Sequence, residues 1–126
     1  MGQVVAIMIG GAIGAVSRYG VSHLIYALAG RGFPYGTLVV NVLGSFLMGY
    51  LSIYLMSKVS LDPALRLAIL VGFLGAFTTF STFSMETLGL LESGLIGRAL
   101  LNVALSVGAS LTAVWLGVLL ARTMKL

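Results

Sequence analysis

The sequence predicts an all-α membrane protein with four transmembrane helices and a break in the third. Hydrophobic residues make up 60% of the 126 residues and charged residues only 8%, whereas an ordinary soluble domain has about 25% charged residues. The hydrophobic residues form four segments, each at or above the roughly 20 residues that cross about 30 Å of hydrocarbon. The third segment also holds hydroxyl residues, glycines and a glutamate, which indicates irregular backbone buried in protein or beside a polar cavity.

Composition excludes several classes of function. The chain has no cysteine, which rules out disulfides and thiolate metal sites, and a single histidine cannot form a metal cluster by itself. Its three acidic residues are dispersed and no phosphate-binding glycine motif is present, so we do not expect an enzyme. The net charge of +4 comes from seven scattered basic residues, a pattern typical of membrane flanks, and we expect no nucleic-acid partner.

The four spans are predicted at about 4–29, 36–57, 64–91 and 95–121, within one transmembrane domain covering 1–126. Four spans place both termini on one side of the membrane. The basic residues on that side are Lys58, Arg66, Arg122 and Lys125, and those on the opposite side are Arg31 and Arg98. This bias of four against two is weak, and four short helices enclose little space. We therefore expect an antiparallel, dual-topology homodimer.

The first span has a small-residue face that leads to a basic residue. Gly10 and Gly14 have a spacing that permits close helix contact in lipid, and packing is the simplest interpretation. Arg18 continues the same stripe. Charge inside a span is costly, so this side chain either faces the protein interior or extends to the membrane interface. His23 and Tyr26, near the end of the span, are expected at the membrane interface.

The second and fourth spans each carry a small and polar helical face. Successive members of each face are three or four residues apart, except for two pairs of adjacent residues in the second span. The members are Thr37, Asn41, Gly44, Ser45, Met48, Gly49 and Ser52 in the second span, and Asn102, Ser106, Ser110, Ala113 and Gly117 in the fourth. An asparagine near the membrane interior needs hydrogen-bond partners, so Asn41 either links helices or binds an anion or water. A serine usually bonds back to its own helix, but a stripe of serines favours a wet face.

The third span contains residues 72–87, with six hydroxyl side chains and four phenylalanines. If the helix resumes after Thr79, Phe80 and Phe83 lie on one face, one turn apart. They either pack in the core or present the positive edges of their rings to an anion. Cation pathways usually have acidic rings or carbonyl filters, and only Glu86 offers a carboxylate at membrane depth. These donors favour a path for a small anion.

Three motifs carry a resemblance to a known family: GAIGAVSRY at 11–19, GTLVVNVLGSF at 36–46 and GFLGAFTTFSTFSME at 72–86. Over nearly its full length the chain resembles the Fluc family of microbial fluoride channels, also called CrcB. The resemblance implies an antiparallel homodimer with two fluoride pores, selective against chloride, that exports fluoride passively across the bacterial inner membrane. Fluoride, the lipid bilayer and a second copy of the chain are then its partners.

The resemblance also implies roles for single residues. Asn41 takes the position of the pore asparagine, and Phe80 and Phe83 those of phenylalanines that contact fluoride by their ring edges. Further hydroxyl donors of the pathway would be Thr37, Ser81, Thr82, Ser106 and Ser110. Arg18 corresponds to the family arginine near the pore vestibule. Glu86 corresponds to the family glutamate, for which the sequence supplies no role.

Gly75 and Thr78 correspond to the break in the third helix of the family. The resemblance implies that backbone carbonyls from both subunits hold a structural Na⁺ on the dimer axis there. We expect no organic cofactor.

Two alternatives come from other classes of protein. A small four-helix, proton-coupled multidrug exporter would need a carboxylate in the first span, where this chain has Arg18 and no acidic residue. A non-transporting scaffold subunit would need only the glycine faces, which leaves the polar faces of the second and fourth spans unexplained.

Overall fold

The computed structural model describes residues 1–124 as a set of helices. In chain order they are α1 (Gly2–Ala29), α2 (Tyr35–Met56), α3 (Pro63–Leu67), a π-helical segment (Ala68–Leu74), α4 (Gly75–Phe77), α5 (Phe80–Glu92) and α6 (Ile96–Thr123). By length and composition four stretches are able to cross a membrane: Gly2–Ala29, Tyr35–Met56, Pro63–Glu92 and Ile96–Thr123. The prediction of four long apolar helices is confirmed. Lys125, which entered the charge comparison, lies outside the described residues.

Helix α1 packs against the π-helical segment through glycines. A Cβ added at Gly10 would collide with the carbonyl oxygen of Ala68, and one at Gly14 with that of Phe73. From the other side, a Cβ at Gly72 would come within 2.6 Å of the carbonyl oxygen of Ile7. The packing interpretation of Gly10 and Gly14 is therefore confirmed, and the contact brings two backbones together as small residues do in membrane helices.

Helices α2 and α6 form the second closely packed pair. A Cβ at Gly49 of α2 would collide with the carbonyl oxygen of Val114 in α6, and one at Gly117 of α6 with that of Phe46 in α2. Glycine on each helix thus meets backbone on the other. This contact uses part of the small-residue faces predicted for the second and fourth spans and leaves their polar members at the edge of the pair.

The third span changes its backbone geometry twice. A π-helical segment follows α3 directly, and its wider turns alter which side chains face α1. After α4, Thr78 and Thr79 adopt extended backbone with φ/ψ of −90°/158° and −151°/123°. Thr79 then caps α5, because its side-chain oxygen accepts a hydrogen bond from the Thr82 N–H at 3.2 Å. This extended pair places the polar residues of the third span against α1 and α2.

The short connections are held by side chains as well as by turn residues. Asp62 caps α3 by accepting a bond from the Ala64 N–H at 2.9 Å, and Pro63 occupies the first helical turn. Arg66 donates to the carbonyls of Leu55 and Lys58 at 3.3 and 3.4 Å, at the C-terminal end of α2. Carbonyls gathered at the C-terminal end of a helix favour a cation.

Candidate ion pathway

Two grooves lie on either side of Thr79. The phenylalanine groove has a volume of about 420 Å³. Its lining comes from α2, the extended pair, α5 and α6, and consists of Asn41, Ser45, Met48, Thr78, Thr79, Phe80, Phe83, Ser106, Val107, Ser110, Leu111 and Val114. The arginine groove has a volume of about 350 Å³ and is lined by Ala15, Arg18, Tyr19, Ser22, Tyr26, Thr37, Thr79, Thr82 and Glu86. Polar residues of all four spans therefore meet at these two surfaces.

Asn41 links α2 to the backbone of the extended pair. Its amide nitrogen donates to the carbonyl of Thr79 at 2.9 Å, and its amide oxygen accepts from the Thr79 N–H at 2.7 Å. Thr79 has left the helix, so neither backbone group has its usual helical partner. The helix-linking interpretation of Asn41 is confirmed by these bonds. A primary amide has two N–H donors, so the second N–H of Asn41 stays available at the groove.

The two predicted phenylalanines stand together in the phenylalanine groove. Their ring centroids are 5.4 Å apart and the rings are inclined by 51°. In a tilted pair the edge of one ring, which carries partial positive charge, lies near the other ring, and both rings line the phenylalanine groove. Phe83 is 7% exposed and held in the protein, whereas Phe80 is 75% exposed in the single chain. The core-packing interpretation thus applies to Phe83 and not to Phe80.

A chain of side-chain hydrogen bonds crosses from α6 to α5 beside this groove. Ser106 donates to the amide oxygen of Asn102 at 3.2 Å, and the Asn102 amide nitrogen donates to the Thr87 hydroxyl at 2.9 Å. Thr87 in turn donates to the carbonyl of Phe83 at 2.7 Å. Asn102 is almost completely buried, so this chain fixes the hydroxyl of Ser106 and the helix that carries Phe83.

Ser110 differs from Ser106 in having no protein partner. Its hydroxyl oxygen is buried and makes no hydrogen bond within residues 1–124. It lines the phenylalanine groove one helical turn beyond Ser106. A buried hydroxyl without a partner costs free energy unless water or another ligand supplies one.

Arg18 reaches from α1 to the end of α4. Its Nε–H donates to the carbonyl of Ala76 at 2.9 Å. In an uninterrupted helix that carbonyl would accept the N–H of Phe80, four residues later. Arg18 is only partly exposed, and its side chain faces the protein interior. This is one of the two alternatives that the sequence left open.

Glu86 lines the arginine groove and has one hydrogen-bond partner there, Tyr26. The Tyr26 hydroxyl donates to one carboxylate oxygen at 2.9 Å and lies 3.5 Å from the hydroxyl of Thr37. The other carboxylate oxygen of Glu86 is buried and has no partner within the described chain. Tyr26 therefore contacts two other helices, and Arg31 of the following connection lies 4.5 Å from its ring centroid. Its placement at the membrane interface stays a prediction.

Two backbone carbonyls, one in the extended pair and one three residues before it, lack an N–H hydrogen-bond donor within residues 1–124. The N–H of Thr79 bonds to Asn41 and that of Thr82 bonds to the Thr79 side chain, so both are diverted from the helical pattern. Within residues 1–124 no N–H donates to the carbonyl oxygens of Gly75 and Thr78. The surface around Gly75 is open, since the nearest atom to an added Cβ is 4.0 Å away. Carbonyl oxygens of this kind are suited to a small hard cation.

The predicted pathway residues are thus divided between two surfaces. The phenylalanine groove contains Asn41, Phe80, Phe83, Ser106 and Ser110, and the arginine groove contains Arg18, Thr37 and Thr82. Ser81 lines neither groove; it is exposed and lies 3.5 Å from the Thr79 hydroxyl.

Sequence reasoning missed several residues that line these two grooves or lie beside them. They are Ser22 and Tyr26 on α1, Thr78 and Thr79 as groove-lining residues, and Asn102 and Thr87 as a link between helices. A signal existed for two of them. Gly14, Arg18, Ser22 and Tyr26 follow one another at four-residue spacing, which places them on one stripe of α1.

Comparison with known proteins places this chain in a family. The family described as CrcB-like protein, Camphor Resistance (CrcB), matches residues 5–118. The chain belongs to the CrcB family. A CrcB-family protein from Geobacter sp. (strain M21), named fluoride-specific ion channel FluC, is 48% identical over 124 residues, which cover 98% of this chain and 100% of that protein.

Two further relatives carry the same name. The protein of Magnetococcus marinus is 51% identical over 120 residues, covering 95% of this chain and 98% of the relative. The protein of Methylococcus capsulatus is 56% identical over 117 residues, covering 93% of this chain and 51% of the relative. The chain therefore spans about half the length of the Methylococcus protein and nearly all of the other two. With its four apolar helices, it is a multi-pass membrane protein of the CrcB family.

Proposed function

We propose that this protein is a fluoride-selective ion channel that exports fluoride passively across the bacterial inner membrane. The observation that carries the proposal is the phenylalanine groove, where ring edges, an amide N–H and the unpartnered Ser110 hydroxyl surround space at membrane depth. Each of these groups has a partial positive charge for an anion. The naming of full-length relatives as fluoride-specific channels supports the same ion.

The groove suits conduction because its donors are individually weak. Hydroxyls, an amide and ring edges can replace the hydration shell of a small anion without holding it as a lysine or arginine would. Asn41 and Phe83 are fixed by contacts with the protein, and Ser110 lies opposite them on α6. In this mechanism fluoride passes along α5 and α6, losing water as these groups approach it.

The proposal includes a second copy of the chain. The phenylalanine groove is open on one side, and its polar groups, such as Asn41 and the unpartnered Ser110 hydroxyl, would be costly to expose to lipid. An antiparallel copy would close the groove of each protomer and produce two pores related by symmetry. This arrangement is supported by the weak charge bias of the loops, which favours neither orientation strongly.

We also propose a structural Na⁺ at the axis of this dimer. The carbonyl oxygens of Gly75 and Thr78 would hold it, two from each subunit, because both lack donors within the described chain and Gly75 is at the surface. When bound, the ion would neutralise the partial negative charge of four converging carbonyls. The chain itself would supply the fixed backbone, through Asn41 on Thr79 and Arg18 on Ala76.

The experiment is fluoride efflux from liposomes that contain the purified protein, followed with a fluoride-selective electrode. Fast efflux of fluoride, with chloride efflux close to that of protein-free liposomes, is the expected result. Liposomes silent in fluoride would refute the channel. A proton-coupled drug exporter is disfavoured because the membrane part of α1 offers Arg18 and no carboxylate.

A further inference from the structure

The backbone around the extended pair is held from two helices. On one side Asn41 of α2 satisfies both backbone groups of Thr79. On the other side Arg18 of α1 donates its Nε–H to Ala76. Between these two attachments lies the Thr78 carbonyl, and α5 begins with Phe80 directly after the second. The position of the groove-lining groups therefore depends on both attachments.

We propose that Arg18 is a positioning residue whose Nε–H hydrogen bond to the Ala76 carbonyl sets the geometry of the extended pair, and that its positive charge is not its contribution to fluoride flux. This inference rests on the proposed channel function. It differs from a vestibule role, in which the arginine attracts the anion through space.

The hydrogen bond supplies a donor to a part-buried carbonyl that has lost its usual helical partner. Because Thr78 and Thr79 are extended, the helical partner of Ala76 is displaced. A buried carbonyl without a donor costs free energy, and a bond from a charged donor is among the stronger kinds. Without Arg18 the end of α4 would shift to find another donor, and Thr78 and Phe80 would shift with it.

The surroundings of Arg18 weaken the argument for an electrostatic role. The arginine groove contains the acidic residue Glu86 as well as Arg18. Arg31 also lies close by, with its guanidinium 4.5 Å from the ring centroid of Tyr26, which lines the same groove. An electrostatic role would therefore be shared with Arg31 and opposed by Glu86, whereas the hydrogen bond to Ala76 belongs to Arg18 alone.

Two substitutions separate the hydrogen bond from the charge. In Arg18→Gln the side-chain amide nitrogen is attached to Cδ, as Nε is in arginine, so an N–H donor is kept at the same place without charge. In Arg18→Lys a methylene occupies that place, while the positive charge is kept further out. Arg18→Met has neither charge nor donor and serves as a second test should the lysine variant fail to fold.

The measurement is fluoride flux as a function of fluoride concentration, in liposomes with equal amounts of dimer. We expect Arg18→Gln to keep the maximal flux and the half-saturating concentration within about twofold of the unmodified protein. Arg18→Lys and Arg18→Met should lose about tenfold in maximal flux, which corresponds to about 1.4 kcal/mol, the order of one hydrogen bond from a charged group.

Other outcomes overturn the inference. Normal flux in Arg18→Lys together with a raised half-saturating concentration in Arg18→Gln would assign the role to charge. Loss of flux in the glutamine variant, or full flux in the methionine variant, would also refute a positioning role through this bond. Absence of fluoride flux in the unmodified protein would instead refute the channel function, so the two failures are distinguishable.

Discussion

At the scale of single residues, Asn41 links two helices, one of the two roles that the sequence left open, and anion or water binding stays a prediction. Its amide oxygen and one N–H hold Thr79, and the second N–H remains for the groove. The helical spacing of the second span predicted that this residue faces other helices. It did not predict the partner, because the free backbone groups of Thr79 exist only once the third span has left its helix.

Replacement of Asn41 by aspartate should abolish fluoride flux while the protein still elutes as a dimer. The aspartate keeps an acceptor for the Thr79 N–H but turns a negative oxygen toward the Thr79 carbonyl and toward the anion path. Efflux from liposomes and size-exclusion chromatography measure the two effects. Ser52→Ala, on the same face of α2 but outside the lining of both grooves, is the control and should retain most of the flux. Normal flux in Asn41→Asp would limit Asn41 to linking the helices.

At the scale of secondary-structure elements, hydropathy predicted the four long helices to within a few residues, since span length is set by the thickness of the bilayer. It did not predict the π-helical segment Ala68–Leu74, whose small and apolar residues suit an α-helix equally well. Nor did it predict two grooves. Thr37 and Asn41 share one face of α2, but Thr79 lies between them and separates their surroundings.

The contact between α1 and the π-helical segment should be sensitive to a single methyl group. Gly14→Ala places a Cβ against the Phe73 backbone, which cannot rotate away as a side chain can. We expect a loss of about 1–3 kcal/mol of stability, typical of overpacking, seen as a lower melting temperature in detergent. Gly20→Ala is the matched control on the same helix, since nothing lies within 4 Å of its added Cβ. Equal stability of both variants would show that α1 can move away from the segment.

At the scale of the whole molecule, sequence reasoning identified the protein class but not the way one chain divides its polar surface. Hydropathy and loop charge are sums over many residues, so small local errors do not alter them. The groove depends on individual backbone geometry at Thr78 and Thr79. The open phenylalanine groove adds an argument for a second copy that the charge count alone did not contain, because its polar groups would otherwise face lipid.

Membrane orientation supplies a test of that second copy. Adding positive charge to the terminus-side loop with Val59→Lys and Ser60→Lys changes the count from four against two to six against two, because both new lysines join that side. Removing three there with Lys58→Gln, Arg122→Gln and Lys125→Gln, and adding two opposite with Glu92→Lys and Ser93→Lys, gives one against four. Since the more basic side stays in the cytoplasm, each variant should insert mainly in one orientation.

If the functional unit is antiparallel, each of these orientation-biased variants should conduct poorly when expressed alone. Co-expression should restore fluoride flux to near that of the unmodified protein, because each supplies the orientation that the other lacks. Tags on the termini, probed from both sides of the membrane, verify the orientations, and flux in membrane vesicles measures function. Full flux from one variant whose termini all lie on a single side would instead require a parallel dimer, in which the phenylalanine groove must be closed by a different surface.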